Sequence, residues 1–297
     1  MLIVGGDIGH KNVKTCYGAG PKDIDIFRST VADVDTSSPD DDEPIIIRDY
    51  AIGTKYGRYS VEDDKSIDEV FKLCLFTSIA RIMKQDIENI SLVTGLPVNY
   101  YKMYKNALVD CLQGETVEVE YLGKTKIMNF ENIRHYPESS GIIILQREKF
   151  KGANIIIDIG GKSVDISYFE NGKLTKTATY ELGMLTAYST IVKYVNDRYA
   201  TDYTVLAAEN IIKESIITVN GRDIPFETSR FLKEHSEEIL RRIKLDFPWK
   251  TSKRTFCGGG AVDLRNFIPR GDEIRVKDIF INARAFYAVG CETYGNK

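Results

Sequence analysis

Two short stretches, about half the chain apart, carry the same arrangement of chemically capable residues. Residues 7–13 read DIGHKNV and residues 158–164 read DIGGKSV, agreeing without gaps at five of seven positions. Each follows an apolar strand start (LIVGG, NIIID) and runs on into another strand-like stretch (KTCYG, DISYF). Asp and Gly are the residues that turns select, so either copy alone reads as an ordinary hairpin. A chance hairpin need not recur with the same Asp, Gly and Lys, and the duplication points to function. A tight turn aims successive backbone N–H groups into a concavity that suits phosphate oxygens. Glycine allows a close backbone approach that a Cβ would block. Gly9, His10, Lys11 and Asn12 in the first turn, and Gly160, Gly161, Lys162 and Ser163 in the second, are therefore candidate phosphate binders. Asp7 and Asp158, at the strand ends, are placed to hold Mg²⁺ through its waters, because that ion keeps much of its hydration shell. Two such turns could grip a nucleoside triphosphate from opposite sides. No G-x-x-x-x-G-K-[ST] occurs, so the pattern is not a P-loop. Asp165 takes the place that Lys14 holds in the first copy, where it either faces the metal or caps the hairpin.

Paired D-x-G hairpins of this kind resemble phosphate 1 and phosphate 2 of the actin, heat-shock chaperone and sugar kinase superfamily. Residues 255–264, TFCGGGAVDL, resemble its adenosine motif, a strand end followed by a glycine-rich turn and a helix start. By that resemblance Gly258, Gly259 and Gly260 let the backbone lie against adenine and ribose. A flexible linker is the alternative, disfavoured by apolar residues on both sides. TGLPVNYY (94–101) and YPESSG (136–141) narrow the resemblance to bacterial plasmid-segregation actins of the ParM and Alp type and their archaeal relatives. In ParM-like proteins a glutamate in a P-E-S segment before phosphate 2 orients the attacking water. Glu138, 20 residues before Asp158, matches it; the alternative is a carboxylate favoured by a helix N-terminus. AENIIKES (208–215) resembles the helix that touches ribose and adenine, which implicates Glu209 and Lys213. Four residues apart they share a helix face, and an ordinary surface ion pair is the alternative. His10 and Lys11 depart from the family, standing where many relatives place small hydroxyl residues.

The resemblance implies an α/β, actin-like (ribonuclease H-like) duplicated two-domain fold with the nucleotide in the interdomain cleft. Residues 1–152 and the closing helix, 280–297, would form domain I, and 153–279 domain II. The implied cofactors are Mg²⁺ and ATP, with GTP as the other candidate nucleotide. The implied activity is an ATPase that stacks head to tail into filaments, an interface that does not close on itself. A small DNA-binding adaptor would link the filament to plasmid DNA. Two alternatives remain on the same fold. A cytoskeletal shape or positioning homologue is disfavoured because no membrane-inserting N-terminal helix is visible. A small-molecule kinase would often carry a cysteine-rich zinc motif, which is absent.

The elements that must position these residues are those of a globular protein. The 297 residues are 43% hydrophobic and 28% charged, enough for one large or two ordinary filled cores. A net charge of −3 gives no electrostatic case for direct nucleic-acid binding. No apolar run reaches the ~18–20 residues of a membrane span, and the N-terminus reads as a strand and turn, not a signal peptide. Five scattered cysteines fit reduced thiols in cytoplasm. Three isolated histidines give no zinc-ligand spacing.

The apolar spacing predicts a helix over 66–85 with a capping box of Ser66 and Glu69, then a buried strand ending at Gly95 and Pro97. A helix over 99–112 and a hairpin around Gly123 follow, and then a crossover helix over 139–150. The second half should hold a strand near 174–181, helices near 184–199, 204–215 and 228–246, a hairpin at Asn220–Gly221, and a closing helix near 280–294. Strands alternating with helices predict largely parallel pairing. The stretches 33–44 and 250–254 read as solvated surface loops.

Overall fold

The computed structural model describes residues 1–34, 45–54, 57–60, 62, 64–146, 148, 150–274 and 279–295. The acidic stretch 33–44 therefore lies outside them from residue 35 onward. The first half opens with β1 (Leu2–Ile8), β2 (Asn12–Cys16), β3 (Ile24–Arg28), β4 (Thr30–Asp33), β5 (Ile45–Ile47), β6 (Tyr50–Ile52) and β7 (Arg58–Tyr59). It continues through α1 (Glu69–Ile82), β8 (Ile87–Leu96), α2 (Val98–Tyr104), α3 (Ala107–Leu112), β9 (Thr116–Tyr121), β10 (Lys124–Pro137) and α4 (Gly141–Gln146). The second half begins with β11 (Ala153–Ile159), β12 (Val164–Glu170), β13 (Lys173–Tyr180), α5 (Met184–Tyr199) and α6 (Ala207–Glu214). There follow β14 (Ile216–Val219), β15 (Arg222–Pro225), α7 (Ser229–Asp246), β16 (Lys253–Cys257), α8 (Gly259–Asp263), β17 (Glu273–Ile274) and α9 (Ile281–Tyr294).

Among the described residues, one sheet runs β3-β2-β1-β8-β10-β9-β5-β6-β4-β7 and a second runs β13-β12-β11-β16-β17. The duplication seen in two heptapeptides thus extends to topology. In each sheet the D-x-G strand sits between an antiparallel hairpin partner and a parallel neighbour, β2 and β8 around β1, β12 and β16 around β11.

Pairing is not largely parallel as the alternation suggested. Among the described residues, parallel contacts are confined to β1–β8, β8–β10, β11–β16 and β16–β17, and the other pairs are antiparallel. The hairpins explain this: a short turn can only return a strand antiparallel, whereas parallel neighbours need a long crossover.

Helices cover the sheets and build the cores. Val4, Leu92 and Phe130 of the first sheet pack with Phe71, Leu75 and Ile79 of α1. Ile157 and Ile166 of the second pack with Tyr188, Ile211 and Ile243 of α5, α6 and α7. The closing helix α9 returns to lie on β1, β2 and β8. A Cβ on Gly5 would overlap the α9 backbone at Ala283 and Tyr287, so glycine permits that contact.

Several boundaries differ from the sequence expectation. Helix α1 starts at Glu69, and Asp68 caps it by accepting from Phe71 N at 2.9 Å; Ser66 instead donates to Asp64. A short carboxylate at the N-cap reaches that amide directly and leaves no need for a capping box. The predicted helix over 99–112 breaks into α2 and α3 at Lys105–Asn106, and the predicted crossover helix shortens to α4. In the 250–254 stretch, Lys250 and Lys253 are exposed, but Arg254 is partly buried over Trp249 and pairs with Asp272 at 2.7 Å.

One buried side chain makes stability depend on pH. His135 of β10 is 5% exposed, and neither ring nitrogen has a hydrogen-bond partner among the described residues. Burial, aided by nearby Lys65, pushes its imidazole down to about 4. An unfolded histidine titrates near 6.5, so between those values the unfolded chain takes up a proton that the folded chain refuses. Stability from this group is present above about 6.5 and is lost as pH falls towards 4, up to about 3 kcal/mol over the full window. Thermal melts should therefore show a smaller drop in Tm between pH 7 and 5 for His135→Gln than for the native chain. Equal slopes would exclude His135 as the linked group.

Candidate functional site

The two repeated turns are built the same way. Gly9 N donates to Asn12 O at 3.2 Å, and Gly160 N donates to Ser163 O at 2.9 Å. Across each hairpin Asp7 pairs with Lys14 and Asp158 with Asp165. The second turn is anchored from below, since the first amides of α5, Met184 and Leu185, donate to the Gly160 and Gly161 carbonyls at 3.0 and 2.9 Å. The turns face each other directly. A Cβ on Gly161 would stand 2.6 Å from Lys11 Cβ.

One cavity collects most of the candidate residues: Asp7, Gly9, His10, Lys11, Asn12, Glu138, Asp158, Gly160, Gly161, Lys162, Ser163, Gly259 and Gly260, together with Lys14, Asp165 and Asn282. Glu209 and Lys213 line an adjoining cavity with Lys11, Tyr188, Thr228, Asp263 and Phe267. The first encloses about 60 Å³ of free space and the second about 510 Å³. The phosphate end is therefore tight and the other end roomy.

Gly258 lines neither cavity. Its φ is +83°, and a Cβ there would overlap Asp158 Oδ1 and the Ile159 carbonyl, so it shapes the turn from within. Gly260 packs under Ile159 and Met184 side chains, whereas a Cβ on Gly259 would meet nothing within 4 Å. The three glycines are thus separable by experiment. Gly259→Val should keep the native circular dichroism and melting temperature while weakening nucleotide binding. Gly258→Val should lose the fold, because left-handed backbone and close packing both resist it. An effect of Gly259→Val on folding alone would remove it from the binding surface.

The electrostatics centre on carboxylates. Asp7 Oδ2 pairs with Lys14 Nζ at 3.0 Å, Asp158 Oδ2 accepts from Asn282 Nδ2 at 2.9 Å, and Glu138 Oε1 pairs with Lys65 Nζ at 3.2 Å. Asp165 accepts from Ser163 Oγ at 2.9 Å, Thr179 Oγ1 at 2.7 Å and Val98 N at 3.3 Å. Of its two readings, the hairpin cap is the one these bonds support. Burial pushes Asp158 up to about 6, with Lys14 opposing and Asp7 reinforcing the rise. Burial and the Glu138 charge push Asp165 up to about 7, and burial raises Glu138 against the pull of Lys65. On Lys14, the carboxylates of Asp7 and Asp158 more than reverse the downward effect of burial.

So much buried negative charge fits a divalent cation. Among the described residues no three His, Cys, Asp or Glu side chains form a direct metal-ligand group.

Two predicted phosphate binders are occupied differently from expectation. His10 Nδ1 lies 2.9 Å from the Ser60 carbonyl, and burial drives its ring down to about 4, so near neutrality it is uncharged. Lys11 Nζ turns towards the adjoining cavity, reaching Glu209 Oε1 at 3.0 Å, Tyr188 OH at 2.6 Å and Asp263 Oδ2 at 3.8 Å. Arg28 meets the same glutamate at 2.9 Å. These ion pairs join the first sheet to α6 across the cleft, so Glu209 is no isolated surface partner of Lys213.

Sequence reading missed Lys14, Lys65, Asn282, Tyr188, Asp263 and Arg28. Only Lys14 left a signal, because a strand residue opposite Asp7 must share its face. Asn282 lies 124 residues from the aspartate it touches.

Comparison with known proteins gives two family matches: actin-like proteins, N-terminal domain, over residues 5–141, and archaeal actin homologue MreB-like, C-terminal, over residues 156–269. A 15-stranded ParM filament from Clostridium botulinum is similar in structure, with a TM-score of 0.83 at 21% identity over 98% of this chain and 99% of that one. So is an archaeal actin homologue, Ta0583, in complex with ADP, at 0.81 and 15% over 98% and 100% of the two chains. Bacillus thuringiensis ParM with ATP scores 0.71 at 14% identity over 99% of each chain. No curated protein matches the chain.

Proposed function

The chain belongs to the actin-like proteins and has their two-domain α/β fold, and on that premise we propose that it is a filament-forming ATPase that moves plasmid DNA. The observation that carries this reading is the convergence of both D-x-G turns and Glu138 on one cavity that opens onto a roomier one. Residues 1–152 with 280–297 would act as one domain and 153–279 as the other, parting and closing about the nucleotide.

In this reading the phosphates of ATP or GTP enter between the turns. Turn amides other than those of Gly9 and Gly160, which bond within their own turns, would meet them, and Lys14 adds charge. Mg²⁺, held by Asp7 and Asp158, would neutralise phosphate charge. Glu138 orients a water towards the γ-phosphate and accepts its proton. Glu209 and Lys213 meet the ribose and base, with Gly259 as the surface beneath. The turns approach closely, with Gly161 lying against Lys11, and in this reading the two halves part to admit the triphosphate. The Lys11–Glu209 and Arg28–Glu209 pairs would then have to rearrange. Nucleotide state thereby sets domain closure, and closure sets how subunits stack head to tail.

A ParM filament and nucleotide complexes of related folds support assembly and ATP as the working assignments. The net charge of −3 favours a small DNA-binding adaptor over direct DNA contact. The five cysteines form no disulfide, which suits the cytoplasm. Electron microscopy and sedimentation with ATP, GTP and ADP test the reading, with filaments expected in a triphosphate and loss of them after hydrolysis. Absence of assembly with either triphosphate would overturn it. ADP release that required an added acceptor alcohol would favour a small-molecule kinase instead.

A further inference from the structure

A buried lysine stands behind Glu138. Lys65, 3% exposed, lies on the segment leading into α1. Its Nζ donates to Glu138 Oε1 at 3.2 Å, to the Gly95 carbonyl at 3.2 Å and to the Ile8 carbonyl at 3.3 Å. It also sits 5.0 Å from the centre of the Phe71 ring. An ammonium has three N–H donors, so each has a fixed acceptor and none is left for a ligand. Two acceptors lie at the site itself: Ile8 precedes Gly9 of the first turn, and Gly95 stands near the end of β8. A Cβ on Gly95 would stand 2.8 Å from Glu138 Cγ, so the glutamate side chain lies directly against that strand end. Glu138 N donates to the Leu96 carbonyl at 2.8 Å, fixing its backbone to the same strand.

We propose that Lys65 is the positioning residue for Glu138. It clamps one carboxylate oxygen to the ends of β1 and β8 and leaves the other to a water in the cavity. The proposal rests on the reading of Glu138 as the group that orients the attacking water. Backbone anchoring alone leaves the side-chain rotamers of a glutamate free. A hydrogen-bonded ion pair at its tip removes that freedom and ties the carboxylate to the strand that carries the first phosphate turn. Misplacing a reacting group by about 1 Å can cost on the order of 10²-fold in rate, which sets the scale of the effect.

The experiment is a double-mutant cycle on phosphate release, with nucleotide affinity and melting temperature measured on the same samples. Lys65→Met keeps the apolar stem but donates nothing. It should slow turnover by about 10- to 100-fold, with Mg²⁺-ATP affinity within a few-fold of the native chain. Lys65→Arg, which retains a cationic donor, should recover part of the rate. In a Glu138→Gln background Lys65→Met should add less than about twofold, because residues acting through one group are not additive. Native turnover in a folded Lys65→Met chain would overturn the proposal, as would full multiplicative losses in the double variant. Should Lys65→Met fail to fold, Lys65→Gln, which can still donate to a carbonyl, takes its place in the cycle, and the same two results would overturn the proposal. Normal turnover by Glu138→Gln alone would overturn the reading of Glu138 and the proposal with it. Slow turnover by Glu138→Gln beside normal turnover by Lys65→Met would overturn only the proposal.

Discussion

Glu138→Gln should slow phosphate release by about 10²–10⁴-fold while ATP affinity stays within a few-fold of the native chain. That range is what a positioned general base contributes, and the split follows from an interaction realised mainly in the transition state. Glutamine keeps the shape and can still accept from Lys65, so the position of the side chain survives and only its basicity is lost. Burial already raises the Glu138 carboxyl, with Lys65 opposing, which brings its proton affinity closer to that useful in a base. Filaments of Glu138→Gln should assemble with ATP and then persist. Light scattering and phosphate release, followed in one sample, separate the two steps. Normal phosphate release would remove Glu138 from the chemistry, and lost ATP binding would recast it as a structural support of the cleft.

Asp158→Ala should abolish nucleotide-dependent assembly and weaken Mg²⁺-nucleotide binding by at least about 10- to 100-fold, the scale seen when a metal site loses a supporting group. Two consequences combine here. The cavity loses a carboxylate facing the cation, and Asn282 of α9 loses its acceptor across the cleft. Asp7→Ala should act in the same direction and also leave Lys14 without its ion-pair partner. The native protein should itself show part of this behaviour on acidification. Because burial holds Asp158 at about 6, and a metal binds the deprotonated carboxylate, Mg²⁺-nucleotide affinity should decline as pH falls through 6. Titration calorimetry at pH 7.5 and 5.5 (about two units spanning the shift) would measure it. Native-like Mg²⁺-ATP binding by both Ala variants would reduce the repeated motifs to ordinary turns.

The parts of the site legible in sequence were those written in contiguous residues. DIGHKNV and DIGGKSV carry their own turn chemistry, and both form hairpins that line one cavity. The Asn220–Gly221 hairpin and the long helix over 229–246 were legible for the same reason, since turn preference and apolar spacing act within a few residues. Pairing direction was less legible, because alternating strands and helices do not say which neighbours hairpins will claim. Glycine roles within 258–260 were not separable either, for the crowding at Gly258 comes from Asp158 and Ile159 on another strand.

By itself, then, the sequence determined the two turns, their aspartates, the glutamate before the second turn and the actin-like plan of duplicated halves. Tertiary structure alone decided the shell that holds them. Lys65 meets Glu138 across 73 residues, Arg28 meets Glu209 across 181, and Asn282 meets Asp158 across 124. No local pattern marks such partners, because their placement follows from how α1, α6 and α9 dock on the sheets. The same docking set which cations are spent on protein carboxylates. Lys11, which its motif assigned to phosphate, is bound to Glu209, because packing the two halves together brings opposite charges within reach that lie far apart along the chain.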